Sequence, residues 1–367
     1  MPINLDHAAT TRPEDAVTDA VCRWMRADAA NPSSPYALAG EARRELRTAR
    51  CAIAQALGAD PAGIVFTSGG TESNSWVFSA FAGRPVVLSA TEHHSVLHAA
   101  RAWRCAVTLV QPDAQGIVQP EAVEAALRPD TALVSIHWAN NETGVLQPIE
   151  AIHTLSQKRR IPLHTDAVAA FGHTPAAAGH CELMSLSAHK LYGPQGVGCL
   201  YMAPETPLRP LLTGGGQEGG RRAGTENVPG VAGFRVAVEL AQADLARERE
   251  QLGRMMTRLL QRLRDGVPAM TVLGDPARRL PGLCAVHLPG LSSEQAVAAL
   301  DLLGVRVSGG AACASRSGEP SHVYRAMGLT ENQAGQVLRL SLGRSNTPAD
   351  MEEAADAIIS VWRRYHR

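Results

Sequence analysis

The chain has 367 residues, and its 35 basic and 35 acidic side chains give a formal net charge of zero at pH 7. This balance argues against a protein that binds nucleic acid or an anionic membrane through overall basicity, and no apolar run approaches the length of a membrane span. The first residues include neither a basic nor an apolar leader segment, so we expect a cytoplasmic protein. The cysteines lie at 22, 51, 105, 181, 199, 284 and 313 without a CxxC pair, which predicts neither a disulfide framework nor a metal site.

Between about residues 60 and 200, short β-branched runs alternate with helical stretches. This alternation predicts an α/β domain with a mostly parallel sheet covered by helices. The predicted strands are Gly63–Phe66, Pro85–Leu88, Ala106–Val110, Ala132–Ile136 and Ile161–His164.

A long helical pattern near 228–265 follows and is the predicted connector into a second, smaller domain. Strands are predicted there at Gly282–Leu288 and Val337–Leu342, with a helix from Ser292. The final helix is expected to begin at Thr347 and Pro348, an N-cap followed by proline in the first turn.

Only two lysines occur, Lys158 and Lys190, although arginine is common. Lys158 stands at the charged end of a helical pattern, where an exposed side chain near a helix C-terminus is the ordinary interpretation. Lys190 follows an apolar run and precedes a Gly-Pro turn. Because a lysine amine can become nucleophilic whereas a guanidinium stays protonated, Lys190 is the candidate for covalent attachment of a cofactor.

Two further signals follow predicted strands, where open α/β sheets bind their ligands. The segment Thr67–Asn74 contains two glycines that would let backbone amides approach a phosphate at a helix N-terminus, although a plain glycine turn with a Ser or Thr cap is the alternative. Asp166 ends an apolar run, where its carboxylate would either pair with a protonated heterocyclic nitrogen or cap a helix.

A lysine, a phosphate cradle and a buried aspartate together describe a pyridoxal 5′-phosphate site. The chain also resembles the cysteine desulfurases, class V members of the fold-type I pyridoxal phosphate superfamily. The resemblance extends from Leu5–Thr11 to Arg339–Arg344. It implies a large domain at 15–255 with a mostly parallel seven-stranded sheet, and a smaller α+β domain formed by 1–14 and 256–367.

The resemblance also implies a role for each matching residue. Lys190 and Asp166 match the lysine that anchors the cofactor and the partner of its pyridine nitrogen, and His93 matches the imidazole stacked on its ring and a proton carrier. The positions that match phosphate contacts are Gly70, Thr71, Ser187, His189 and, from a neighbouring subunit of a homodimer, Thr225. Asn141 matches the cofactor-binding residue near the cofactor phenolate and the substrate carboxylate, and Arg344 matches the arginine that holds this carboxylate.

Cys313 is the candidate nucleophile, because it lies among small residues beside Arg316 rather than in an apolar packing pattern. Its surroundings resemble the longer-loop group of the family, and a helix is expected from Pro320. The resemblance implies that Cys313 takes sulfur from L-cysteine as a persulfide, that L-alanine is released, and that the sulfur passes to an acceptor protein for iron–sulfur cluster assembly or thio-modification.

Two positions depart from the family pattern: Ala169 stands where a glutamine is usual, and Tyr36 where a histidine is usual. Three alternative functions remain open from sequence. A selenocysteine lyase would share the site and differ in substrate preference, whereas an aminotransferase or epimerase would not need Cys313. A scaffold without catalytic activity would lack the absorbance of a lysine-bound cofactor.

Overall fold

The computed structural model describes residues 2–27, 30–310 and 320–365. In the described chain the β-strands are β1 (Ile3–Asn4), β2 (Ile64–Thr67), β3 (Pro85–Ser89), β4 (Ala106–Val110), β5 (Leu133–Ser135), β6 (Leu163–Asp166), β7 (Leu183–Ser187), β8 (Gly198–Met202), β9 (Thr271–Leu273), β10 (Leu283–His287), β11 (Val305–Arg306) and β12 (Val337–Ser341). The α-helices are α1 (Asp15–Arg26), α2 (Ala37–Leu57), α3 (Gly70–Ala80), α4 (His94–Ala102), α5 (Pro120–Ala126), α6 (Ile149–Lys158), α7 (Val228–Gly266), α8 (Ser293–Leu302), α9 (His322–Ala326), α10 (Glu331–Ala334) and α11 (Pro348–Tyr365).

Within the described residues, strands β2 to β8 form a seven-stranded sheet in the order β2-β8-β7-β6-β5-β3-β4. All neighbouring pairs are parallel except those that β8 makes with β2 and β7. Every residue of β2, β5, β6, β7 and β8 is buried, because helices cover both faces of this sheet. The expected mostly parallel seven-stranded sheet is therefore confirmed.

The C-terminal part adds an antiparallel sheet of β9, β10 and β12, while β1 pairs with β11. The N-terminal segment thus packs with the C-terminal elements. The predicted helix start at Pro320 is wrong by two residues: α9 begins at His322, because the Ser321 hydroxyl accepts the Val323 N–H as its N-cap.

Helix α7 contributes to two hydrophobic cores. Its first half, including Phe234 and Val238, packs into the core beneath the large sheet, and its second half, including Leu259 and Leu263, packs into the core of the C-terminal part. The predicted domain boundary at 255/256 falls inside this continuous helix and stays a prediction. Among the described residues, no helix is both long and apolar enough to cross a lipid bilayer.

Candidate active site

A cavity of about 260 Å³ opens at the carboxyl ends of the central strands, close to the N-termini of α3 and α4. Open α/β sheets bind ligands at this edge because their loops converge there. The sequence-predicted residues that line it are Gly70, Thr71, His93, Asn141, Asp166, Ser187, His189 and Lys190. Side chains from strand ends far apart in sequence thus meet at one place.

The glycine-rich turn between β2 and α3 forms one wall of the cavity. Gly69 has φ 148° and ψ −177°, a conformation that favours glycine, and α3 begins at the next residue. A Cβ on Gly70 would lie 2.6 Å from Val168 Cγ2, so a larger residue would crowd the wall. The turn therefore directs the N-terminus of α3 toward a neighbouring open hollow lined by Ser187 and His189.

His189 is neutral in this setting. Burial, together with the nearby Lys190 charge, lowers the pKa of its imidazole to about 4. Its Nδ1 lies 3.2 Å from Thr10 Oγ1. An anion bound in this hollow would oppose this shift, because a nearby negative charge favours the protonated imidazole.

Asp166 is the last residue of β6 and is 7% exposed. One carboxylate oxygen accepts the Val168 N–H at 3.0 Å, and the other accepts Asn74 Nδ2 at 2.8 Å. These donors hold the carboxylate in place at the cavity wall, where it could pair with a protonated ring nitrogen.

Lys190 lies just after β7, the strand that pairs with β6. Its ammonium donates to the backbone carbonyl oxygens of Ala8 and Ala9 in the N-terminal segment. Lys158, in contrast, lies exposed at the end of α6. The two lysines therefore have the different environments that their sequence surroundings indicated.

His93 caps the N-terminus of α4. Its Nδ1 accepts the Ser95 N–H at 3.1 Å and lies 2.7 Å from Ser95 Oγ. Burial is the largest influence on this imidazole and lowers its pKa, with the Asp166 carboxylate opposing and the Lys190 ammonium reinforcing the shift.

Among the described residues, the arginine that lines the cavity is Arg339, whereas the predicted Arg344 does not line it. Arg339 stands in the middle of β12, is 1% exposed, and donates to Asp6 Oδ1 at 2.7 Å and to the Asn141 carbonyl oxygen at 3.1 Å. Its buried Nε has no partner among the described residues. An arginine inside an otherwise apolar strand was the sequence signal that could have identified it.

Arg344 occupies a different environment behind Lys190. Its guanidinium donates to Glu248 at 2.7 Å and to Glu14 at 3.2 Å, and it lies 4.3 Å from the centroid of the Tyr192 ring. Its carboxylate partners therefore belong to this protein. Thr225 is exposed and also lies outside the cavity of its own chain.

Cys313 falls outside the described residues, but the flanking residues are held in place. Ser321 Oγ donates to Glu142 Oε2 at 2.6 Å, and on the other flank Ser308 Oγ donates to the Gly310 carbonyl oxygen at 2.6 Å. Glu142 directly follows Asn141, so one flank of the segment is anchored beside the cavity.

Residues 3–353 match the family of class-V aminotransferases. A cysteine desulfurase IscS from Methanosarcina thermophila is 39% identical over 98% of this chain and 91% of its own length. An X-ray structure of a NifS-like protein from Rickettsia africae matches with a TM-score of 0.92 and 30% identity, covering 99% of this chain and 100% of that one. A structure described as SspA in complex with cysteine matches with a TM-score of 0.81 and 32% identity over 93% and 99% of the two chains.

The chain belongs to the class-V aminotransferase family. Within that family it is grouped with the cysteine desulfurases.

Proposed function

We propose that this protein converts L-cysteine to L-alanine with pyridoxal 5′-phosphate as cofactor, and that Cys313 takes up the sulfur as a persulfide. The observation that carries this proposal is the meeting of Lys190, Asp166 and the buried Arg339 around one cavity beside a glycine-rich helix start. The similar proteins named above include a cysteine desulfurase IscS and a structure described as SspA in complex with cysteine. This similarity favours cysteine as the substrate over other amino acids.

The residues present fit the cofactor. The glycine cradle before α3, together with Ser187 and His189, suits a phosphate group, and the buried Asp166 carboxylate suits a pyridinium nitrogen. Lys190 is the amine for covalent attachment. Bound pyridoxal phosphate supplies an electron sink for bonds at the substrate α-carbon.

Arg339 and Asn141 are proposed to bind the substrate carboxylate. Arg339 lines the cavity, its Nε has no partner among the described residues, and Asp6 and the Asn141 carbonyl fix the plane of its guanidinium. A planar guanidinium held in one orientation suits bidentate binding of a carboxylate. Asn141 lines the same side of the cavity and would orient the amino acid.

The remaining steps belong to Lys190 and Cys313. The Lys190 amine takes the proton from the substrate α-carbon, and the Cys313 thiolate attacks the substrate sulfur. An S–S bond forms at Cys313 while the carbon–sulfur bond of the substrate breaks, and a proton on the former sulfur-bearing carbon completes alanine. Cysteine and the Cys313 thiol thus give alanine and a Cys313 persulfide, with no external oxidant.

We also propose a homodimer in which Thr225 contacts the phosphate of the neighbouring subunit. Thr225 is exposed and follows Gly224, which is also exposed and has a φ of 99°. The persulfide sulfur then passes to an acceptor protein, whose pathway would be iron–sulfur cluster assembly or thio-modification.

The deciding experiment uses cysteine labelled with ³⁵S and the Cys313→Ser variant. The wild type should form alanine and carry one labelled, reductant-sensitive sulfur on the peptide that contains Cys313. Cys313→Ser should bind cofactor and cysteine but acquire no label. Cys51→Ser, which replaces an exposed cysteine on α2, is the matched control and should behave as wild type. Label retained in Cys313→Ser would refute the assigned nucleophile, and absence of alanine in the wild type would refute the function.

A further inference from the structure

The His93 ring is connected to Asp166 by two residues that the sequence analysis did not identify. Asn74 is fully buried on α3, and its amide nitrogen donates one hydrogen to Asp166 Oδ2 and the other to Ser95 Oγ, each at 2.8 Å. Ser95 Oγ in turn lies 2.7 Å from His93 Nδ1. Both connecting residues line the cavity.

The direction of each hydrogen bond follows from the chemistry of its donor. A backbone N–H can only donate, so the bond from the Ser95 N–H to His93 Nδ1 means that Nδ1 carries a lone pair. An amide nitrogen likewise only donates, so Ser95 Oγ accepts from Asn74 and its own hydrogen is available to His93 Nδ1. The reverse amide orientation would place Asn74 Oδ1 against the Asp166 carboxylate, which repulsion disfavours.

We propose that Asn74 and Ser95 are positioning residues that hold His93 as its Nε2–H tautomer and link its orientation to Asp166. The ring is buried, which lowers its pKa and keeps it neutral, and a neutral imidazole carries its proton on the nitrogen that is not accepting. The charged or titratable groups around the ring are Asp166, Lys190, His94 and His322.

The tautomer of His93 follows from its hydrogen bonds alone. Only the consequence for the reaction rests on the proposed function. Because His93 Nδ1 accepts hydrogen bonds from Ser95 of α4, the resting imidazole carries its proton at Nε2. It therefore presents no lone pair to the cavity. Acceptance of a proton from the substrate therefore falls to the Lys190 amine, and His93 begins the reaction as a donor.

The test is ¹⁵N NMR of the histidine rings in the protein without cofactor, so it does not depend on activity. The His93 resonances are assigned by their absence in His93→Gln. The wild type should show a protonated Nε2 and a non-protonated Nδ1 whose resonance is displaced by accepted hydrogen bonds. A protonated Nδ1 in the wild type would overturn the proposal, whatever the enzyme's activity.

Three variants of serine residues test the chain of hydrogen bonds from Asp166 through Asn74 and Ser95 to His93, which we call the relay. Ser95→Ala should move the His93 Nδ1 resonance toward the position of an unbonded nitrogen, and Ser95→Thr, which keeps the hydroxyl, should restore it. Ser79→Ala is the matched control, because the Ser79 hydroxyl bonds only the Trp76 carbonyl among the described residues, at 2.6 Å. An unchanged Nδ1 resonance in Ser95→Ala would exclude the hydroxyl from the relay.

A kinetic measurement on the holoenzyme then separates positioning from folding. Ser95→Ala should lower kcat/KM for cysteine by roughly 2- to 12-fold, the effect of one lost hydrogen bond, and change its pH profile, while Ser95→Thr recovers both. If NMR shows the expected His93 tautomer but neither the wild type nor the variants form alanine, the hydrogen-bond relay is supported and the proposed function is refuted. A wild-type pH profile in Ser95→Ala would exclude a kinetic role for Ser95.

Discussion

Arg339 Nη2 on β12 lies 2.7 Å from Asp6 Oδ1 in the N-terminal segment. The same segment supplies the Ala8 and Ala9 carbonyl oxygens that accept from Lys190. The first ten residues therefore position both the proposed substrate-binding arginine and the proposed cofactor lysine. A carboxylate and two carbonyl groups compensate two cations that would otherwise be poorly solvated at the cavity wall.

Lys190→Ala should abolish covalent attachment of the cofactor and alanine formation, because no other described lysine lines the cavity. Borohydride reduction followed by peptide mass spectrometry should label the Lys190 peptide in the wild type and no peptide in the variant. Lys158→Ala is the control and should remain active, since Lys158 is exposed at the end of α6. Labelling of a different residue in the reduced wild type would contradict the assignment.

Arg339→Lys should raise KM for cysteine by roughly 10- to 100-fold, because an ammonium cannot replace a bidentate guanidinium. Steady-state kinetics over a range of cysteine concentrations measure this change, with cofactor absorbance as a check on loading. Arg344→Lys should leave KM near the wild-type value. The opposite pattern would return the carboxylate-binding role to Arg344.

Arg344→Ala should lower the free energy of unfolding by about 2 kcal/mol. This loss is somewhat smaller than that expected for removing one partner of a fully buried ion pair, because the Arg344 side chain is 19% exposed while Glu248 is 7% exposed. Among the described residues, the variant leaves the buried Glu248 carboxylate with His173 as its one ion-pair partner, at 3.5 Å. Urea unfolding at pH 7 measures the loss. A change below about 0.5 kcal/mol would show that this ion pair contributes nothing.

The same pair predicts a pH dependence of stability. Burial alone would raise the pKa of the Glu248 carboxyl, but the bonds and charges of His173 and Arg344 outweigh it, and the net pKa is lowered. A lowered folded-state pKa stabilises the protein above the carboxyl's ordinary pKa, near 4.5, and this contribution disappears as the pH falls through the folded-state value. Unfolding free energies measured from pH 7 to pH 3 should decline less steeply in Arg344→Ala than in the wild type.

Ala169→Gln should lower the midpoint of the pH-dependent absorbance of the bound cofactor by roughly 0.4–1 unit. Ala169 lines the cavity, and a glutamine amide there would donate to an ionised cofactor oxygen and stabilise it. A spectroscopic titration of the two holoenzymes compares the midpoints. Coincident curves would mean that another donor, such as Asn141, already occupies that oxygen.

Short apolar β-branched runs predicted five of the seven strands of the large sheet, β2 to β6, whereas β7 and β8 were not among the predicted strands and the count of seven came from the resemblance. The sequence also predicted Asp166 and Lys190, which follow such runs. It did not identify Arg339, because the substrate-carboxylate role was assigned to Arg344 from the family resemblance alone. Arg339 reaches the cavity from the middle of a strand, a placement that depends on how β12 packs beside the N-terminal segment, where Asp6 pairs in parallel with Ser341.

Asn74 and Ser95 were missed for a different reason. A polar residue in the first turns of a helix is ordinarily a cap or an exposed side chain, and nothing local distinguishes these two. Their hydrogen bonds join α3, α4 and β6, and the bond from Asn74 to Asp166 spans 92 positions of the chain. Only the packing of these elements brings the groups together.

Helix α7, with its 39 residues, is shared by the two cores, so we expect them to unfold cooperatively. At 1.5 Å per residue it extends about 58 Å, and each half buries its apolar side chains in a different core. Melting of either core would leave half of one continuous helix without its packing partners, so heat should unfold the described parts in one transition. A fragment that stops at residue 255 would end midway along this helix, expose Met255 and Leu252 to water, and aggregate more readily than the full chain.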